Sequence, residues 1–136
     1  MNIQYTKDLS SITPAMLTNF FAGWPNPPSS EMHLKILQNS YRAFVAIDTS
    51  CNKVVGFINA ISDGILAAYI PLLEVAEEYQ GQGIGGRLVE LMLKECKNLY
   101  MVDICHDIEL VSYYAKFGAY ASSASIFRNY NMQKGN

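Results

Sequence analysis

One segment constrains this chain more than any other: Gln80-Gly81-Gln82-Gly83-Ile84-Gly85-Gly86, set between a run with strand character and a run with helical period. Glycine inside a helix costs roughly 1 kcal/mol relative to alanine, so four glycines in six residues at a helix start need a compensating role. Glycines at that junction let backbone N–H groups approach an anion closely, and the helix N-terminus adds a favourable dipole. A diphosphate is the natural guest. The plain alternative is a flexible loop with a helix-entry glycine, but turn chemistry and helical period coincide here. A Walker loop is excluded, because the segment closes on Gly85-Gly86-Arg87 and not on Gly-Lys-Ser/Thr. A dinucleotide fingerprint is formally matched by Gly81, Gly83 and Gly86. The fit is poor: the polar stretch 76–80 separates the strand from the first glycine, and the nearest ribose-binding acid, Asp103, falls within a strand pattern.

The pattern around this loop sets the element order. Before it, residues 41–47 and 54–61 alternate and are rich in strand formers, with Asp48-Thr49-Ser50-Cys51-Asn52-Lys53 as the turn of a hairpin. Ser62-Asp63-Gly64 turns into a third strand over 65–75. Pro71 lies inside that strand. It cannot donate to a ladder, so it marks a bulge or the point where the strand leaves its neighbour. After the loop, Ile84, Leu88, Leu91, Met92 and Cys96 fall on one helical face. A strand over 99–105 follows, then a helix capped by Asp107 that carries Leu110, Val111, Tyr114 and Phe117 and ends at Gly118. The alternating tail, 125–132, predicts a last strand. Upstream, Ile12, Met16, Leu17, Phe20 and Phe21 recur at helical spacing. The rigid stretch Trp24-Pro25-Asn26-Pro27-Pro28-Ser29-Ser30 separates them from a helix that starts at Ser29 or Ser30 and carries Met32, Leu34, Ile36 and Leu37. The expected architecture is one α/β (α+β) domain over residues 1–136. Its mixed, mostly antiparallel sheet has six to seven strands and about four flanking helices. The helix after the third strand allows a right-handed crossover to a parallel neighbour.

Composition narrows the function. The chain has 136 residues, half of them hydrophobic, and a net charge of −2. A nucleic-acid binder would show a basic stripe, and none is present. No segment is long and apolar enough to span a bilayer, and no signal-peptide pattern opens the sequence, which leads to an expectation of a cytoplasmic protein. Cys51, Cys96 and Cys105 are odd in number and fit no zinc spacing, and His33 and His106 are too few for a metal cluster, so neither disulfides nor metal are expected.

The segment 80–85 resembles the Arg/Gln-x-x-Gly-x-Gly/Ala signature of the GNAT superfamily of acyl-CoA-dependent N-acyltransferases, and Leu73-Glu74-Val75 resembles that family's strand end. Tyr113-Tyr114-Ala115-Lys116-Phe117-Gly118-Ala119 resembles its Tyr-x-x-x-Gly-aromatic segment, with Ala119 replacing the usual aromatic. The element order also agrees, so the likeness covers nearly the whole chain. It implies acetyl-CoA as cosubstrate. Pantetheine would lie as a pseudo-strand against the backbone of Leu73 and Val75, where the third strand splays from its parallel neighbour. The diphosphate would be wrapped by Gln80, Gly81, Gln82, Gly83, Ile84, Gly85 and Gly86. The implied activity is transfer of an acetyl group to a primary amine of a small molecule or peptide. The Leu73 N–H would be the oxyanion donor and Tyr114, four residues before Gly118, the general acid at the cofactor. Tyr113 is read as core. No carboxylate or histidine stands at the family's usual base position; Glu74 is the nearest candidate, its direction undecided by alternation. His106 and Asp107 read as a surface residue and a helix cap. Trp24, in the rigid loop, is a candidate for the acceptor wall, though packing over the core explains it equally well. Two other classes stay open: an idle acyl-CoA-binding module, and a nucleotide-binding protein. The tail, with Ile126, Tyr130 and Met132 on one face and Phe127 on the other, points to a homodimer.

Overall fold

The computed structural model describes all residues, 1–136. Strands β1 (Ile3–Thr6), β2 (Arg42–Asp48), β3 (Lys53–Ser62), β4 (Ala67–Val75) and β5 (Met101–Ile104) form one sheet in sequential order. The first three pairings are antiparallel, and β4 pairs parallel with β5. Helix α1 (Ser30–Gln38) covers one face; α2 (Ile84–Glu95) and α3 (Val111–Ala115) belong to the other. This is the expected mixed sheet with its α2 crossover, but with five strands and three α-helices in place of six to seven and about four. No helix is long and apolar enough to cross a membrane.

Two expectations fail, and both account for the missing elements. The segment carrying Ile12, Met16, Leu17 and Phe21 forms no α-helix. Only a 3-10 turn, Pro14–Met16, survives, because Asn19 and Phe21 take left-handed backbone angles, with φ of 70° and 63°. Those four side chains are buried all the same, so helical spacing reported burial and not a helix. The tail forms no strand: residues 119–129 are irregular and exposed, and a short 3-10 turn, Tyr130–Met132, follows. A strand needs a neighbour, and within this chain the tail finds none.

Other local signals hold. Ser29 caps α1, its Oγ accepting from Met32 N–H at 3.1 Å. Helix α2 buries Ile84, Leu88, Val89 and Met92 against the sheet. Gly118, after α3, has φ of 91°, as a helix-stop glycine should. Asp107 precedes a 3-10 turn, Ile108–Leu110, and its carboxylate makes no cap bond; Leu110 N–H bonds its carbonyl instead.

Candidate active site

Pro71 sits at a bulge. Asn59 pairs with Leu72 and Ile61 with Tyr69, so β4 spends Ile70 and Pro71 opposite the single residue Ala60. The parallel ladder to β5 stops at the same place, at Ile70 opposite Ile104. Beyond it β4 runs on through Val75 with no neighbour on that side. Ala76 N–H bonds Val55 O at 2.8 Å, so alternation along the ladder turns Leu72, Glu74 and Ala76 toward β3. The main-chain groups of Leu73 and Val75 therefore face the gap beside β5. The Val75 carbonyl is engaged, accepting from Gln80 Nε2 at 2.9 Å. The N–H groups of both residues and the Leu73 carbonyl remain available to an extended guest.

The loop follows directly. Gly81 and Gly83 have φ of 76° and 84°, angles that side chains rarely adopt. The first N–H to find a partner after Gln80 is that of Arg87, which bonds Gly83 O. The six consecutive N–H groups of residues 81–86 make no hydrogen bond in the chain. A row of free N–H groups at a helix start, flanked by left-handed glycines, is the geometry that suits an anion. The loop is held from behind. Tyr79 Oη donates to Asp48 Oδ2 at 2.8 Å, tying the turn before the glycines to the β2–β3 hairpin. Hydrogen bonds from Ser50 and Tyr79 lower the Asp48 carboxyl to about 2, and the same contact with Asp48 raises the Tyr79 phenol.

Tyr114 is 7% exposed and lines a cavity of about 180 Å³ with Ile70, Val89, Ile104 and Phe117. Its hydroxyl has no hydrogen-bond partner in the chain, and burial, with a smaller effect from Tyr113, raises its pKa. His106 stacks on its ring at 4.7 Å, and its Nδ1 lies 2.7 Å from Asp107 O. His106 is a partly exposed loop residue, as expected, and is also a neighbour of Tyr114. Tyr113 packs against the core as expected, beside Tyr114 and Phe117. It is half-buried, and a Cβ built on Gly85 would lie 3.4 Å from its hydroxyl and 3.5 Å from Val75 Cγ2. Its hydroxyl also lies over the first turn of α2.

Glu74 points to the α1 face, where its carboxylate accepts from Phe21 N–H at 2.8 Å and Ala22 N–H at 3.2 Å. It fastens the Trp24 loop to β4. Trp24 packs on Phe21 at 4.9 Å and keeps part of its ring in solvent. Beneath them, His33 is 1% exposed among Phe20, Phe21 and Phe57, with neither ring nitrogen bonded. Sequence reasoning found the left-handed glycines that open α2 and the break in the β4–β5 ladder. It missed Tyr79, His106 and His33, each of which acts through a residue distant in sequence.

The model of the Acetyltransferase (GNAT) family matches residues 9–119. The chain belongs to the GNAT acetyltransferase family. No protein with a curated description matches the sequence. Among solved structures, a Deinococcus radiodurans R1 protein of proposed acetyltransferase activity is 42% identical. It covers 97% of this chain and 92% of its own, with a TM-score of 0.93. A GNAT-family acetyltransferase from Streptococcus pneumoniae is 26% identical over 94% of this chain and 97% of its own, with a TM-score of 0.69. Glucosamine-6-phosphate N-acetyltransferase from Arabidopsis thaliana, 14% identical over 95% and 99%, shares the fold with a TM-score of 0.70. The GNAT fold implies acetyl-CoA as cosubstrate, and the residues present fit it: an open strand edge for an extended amide chain, then a row of free N–H groups for a diphosphate.

Proposed function

We propose that this GNAT protein transfers the acetyl group of acetyl-CoA to a primary amine of a small molecule or peptide. The observation that carries the reading is the row of six unpartnered N–H groups at residues 81–86, contiguous with the unpaired edge of β4. Gln80, Gly81, Gln82, Gly83, Ile84, Gly85 and Gly86 hold the diphosphate, and the main chain of Leu73 and Val75 holds the pantetheine amides. When bound, the thioester supplies the acetyl group and a thiolate leaving group.

The chain's own groups do the rest. The Leu73 N–H faces the gap and serves as the fixed donor to the oxyanion that forms when the amine nitrogen adds to the thioester carbon. As the C–S bond breaks, Tyr114 donates its phenolic proton to sulfur. Its raised pKa keeps the phenol protonated at neutral pH, as an acid requires. The nitrogen loses its surplus proton to water. Glu74 is retained here as a positioning residue for the acceptor loop and not as the base, because two backbone N–H groups occupy its carboxylate. Trp24 walls the acceptor side.

Isothermal titration of acetyl-CoA, followed by a panel of amines read by thiol release, tests the reading. Gly83→Asp and Gly85→Asp place a side chain and a negative charge in the cradle, and Gly83→Asp also meets a left-handed φ. Both variants should lose acetyl-CoA binding while staying folded. Normal binding in both folded variants would refute the assignment of the loop.

A further inference from the structure

Behind Tyr114 the fold encloses an apolar void of about 180 Å³, and eight of its nine lining residues are hydrophobic. Protein interiors hold few voids larger than a water molecule, and an unfilled cavity destabilises the fold in proportion to its volume. An apolar cavity of about 150 Å³ stays dry and takes up a six-carbon guest such as benzene. The void beside Tyr114 has that size and that lining. It stays open because one wall carries little bulk: Gly118 has no side chain, and Ala119 contributes a single methyl group.

Its place in the fold gives the void a use. Ile70 and Ile104 line it, and they are the last paired residues of β4 and β5. The cavity therefore lies at the foot of the gap that opens where these strands part. Above it the main-chain groups of Leu73 and Val75 face the gap, and the free N–H groups of residues 81–86 follow beyond Val75. A guest with its anionic end on 81–86 and its amides along β4 runs down toward Ile70. Tyr114 lines the cavity at this point. The cavity shares the α2 face of the sheet with Leu73 and Tyr114, whereas Glu74 and the Trp24 loop occupy the α1 face. A chain that fills the void leaves the α1 side free for the amine.

We propose that this cavity is an acyl-chain pocket, so that the protein takes straight-chain acyl-CoA donors of up to about six carbons and holds them more tightly than acetyl-CoA. The inference rests on the proposed acyl transfer and names its donor class. The thioester lies between the Leu73 N–H and the Tyr114 phenol, and the chain beyond its carbonyl carbon passes Ile70 and Ile104 into the void. The chemistry is the same for every chain length. A C–N bond forms to the amine, the C–S bond breaks, the amine gives up one proton and the sulfur takes one, leaving an amide and free coenzyme A.

Isothermal titration of the full chain with acetyl-, butyryl-, hexanoyl- and dodecanoyl-CoA, with no amine present, tests the pocket. Burying one CH₂ strengthens binding roughly fourfold, so affinity should rise from acetyl to hexanoyl. It should fall at dodecanoyl, whose chain exceeds the void. A flat series overturns the proposal, and so does one that keeps climbing to dodecanoyl, as adsorption to the surface would. Val102→Phe and Ala119→Phe fill the cavity from β5 and from the turn after α3. The preference for hexanoyl over acetyl, taken as a ratio within one sample, should vanish in either folded variant; its persistence in every folded variant overturns the pocket. Acetyl-CoA bound with a flat series removes the pocket alone. Failure of every acyl-CoA to bind removes the cofactor reading with it.

Discussion

Histidine in an aromatic box should make this fold sensitive to mild acid. His33 is enclosed by Phe20, Phe21 and Phe57, and burial lowers its pKa from 6.5 to about 4. The unfolded chain therefore binds a proton that the folded chain refuses. Stability is full above about pH 6.5, falls as pH drops toward 4, and changes no further from this group below that. Linkage with these two values gives a loss of about 2 kcal/mol by about pH 5, a large share of the ~5–15 kcal/mol that holds a domain together. The carboxylates held low by hydrogen bonds or ion pairs, Asp8, Asp48, Asp63 and Glu95, lose stability in the same direction but in a lower pH window. Their contribution is present above their ordinary pKa and is lost only as pH falls below it, outside the interval used here. The test is urea unfolding followed by fluorescence of Trp24, the single tryptophan, between about pH 7.5 and pH 5. His33→Leu keeps the site apolar and breaks no hydrogen bond, since neither ring nitrogen has one. The parent should lose about 2 kcal/mol more than the variant over that interval. Parallel pH dependences would show that the ring reaches water before it protonates, and the reasoning would fail. Because Phe21 lies between His33 and Trp24, acid should loosen the Trp24 loop first.

Tyr114→Phe should leave folding and acetyl-CoA affinity nearly intact and lower turnover by about ten- to a thousand-fold; equal single-turnover rates would return Tyr114 to the core. Tyr79→Phe removes the bond to Asp48, so calorimetry should show weaker acetyl-CoA binding while turnover at saturation is kept; unchanged affinity would mean the loop holds its shape unaided. Glu74→Gln retains size but weakens the grip on the Phe21 and Ala22 amides, and steady-state kinetics should show a raised KM for the amine with little change in kcat. A collapse of kcat, recovered at high pH, would instead make Glu74 the base.

What the sequence determined by itself was local. Four glycines ahead of a helical period mark a glycine-rich helix start, and the six free N–H groups at 81–86 go with it. Pro71 could not donate to a ladder, and the β4–β5 pairing ends beside it. Ser29 and Gly118 cap helices by chemistry that needs no distant partner. Tertiary structure decided whatever depends on a second segment. The bulge adds one residue, so Ile70 and Leu73, not Leu72, share the α2 face, and this sends Glu74 to the α1 face and turns the Leu73 main chain toward the gap. No alternation count reveals that shift, because a proline in a strand is compatible with either parity. The stretch 12–21 has helical spacing but is folded into turns by burial against Phe57 and His33. The tail has a strand's alternation and no strand, because a ladder is made by two partners and no other segment of the chain pairs with it.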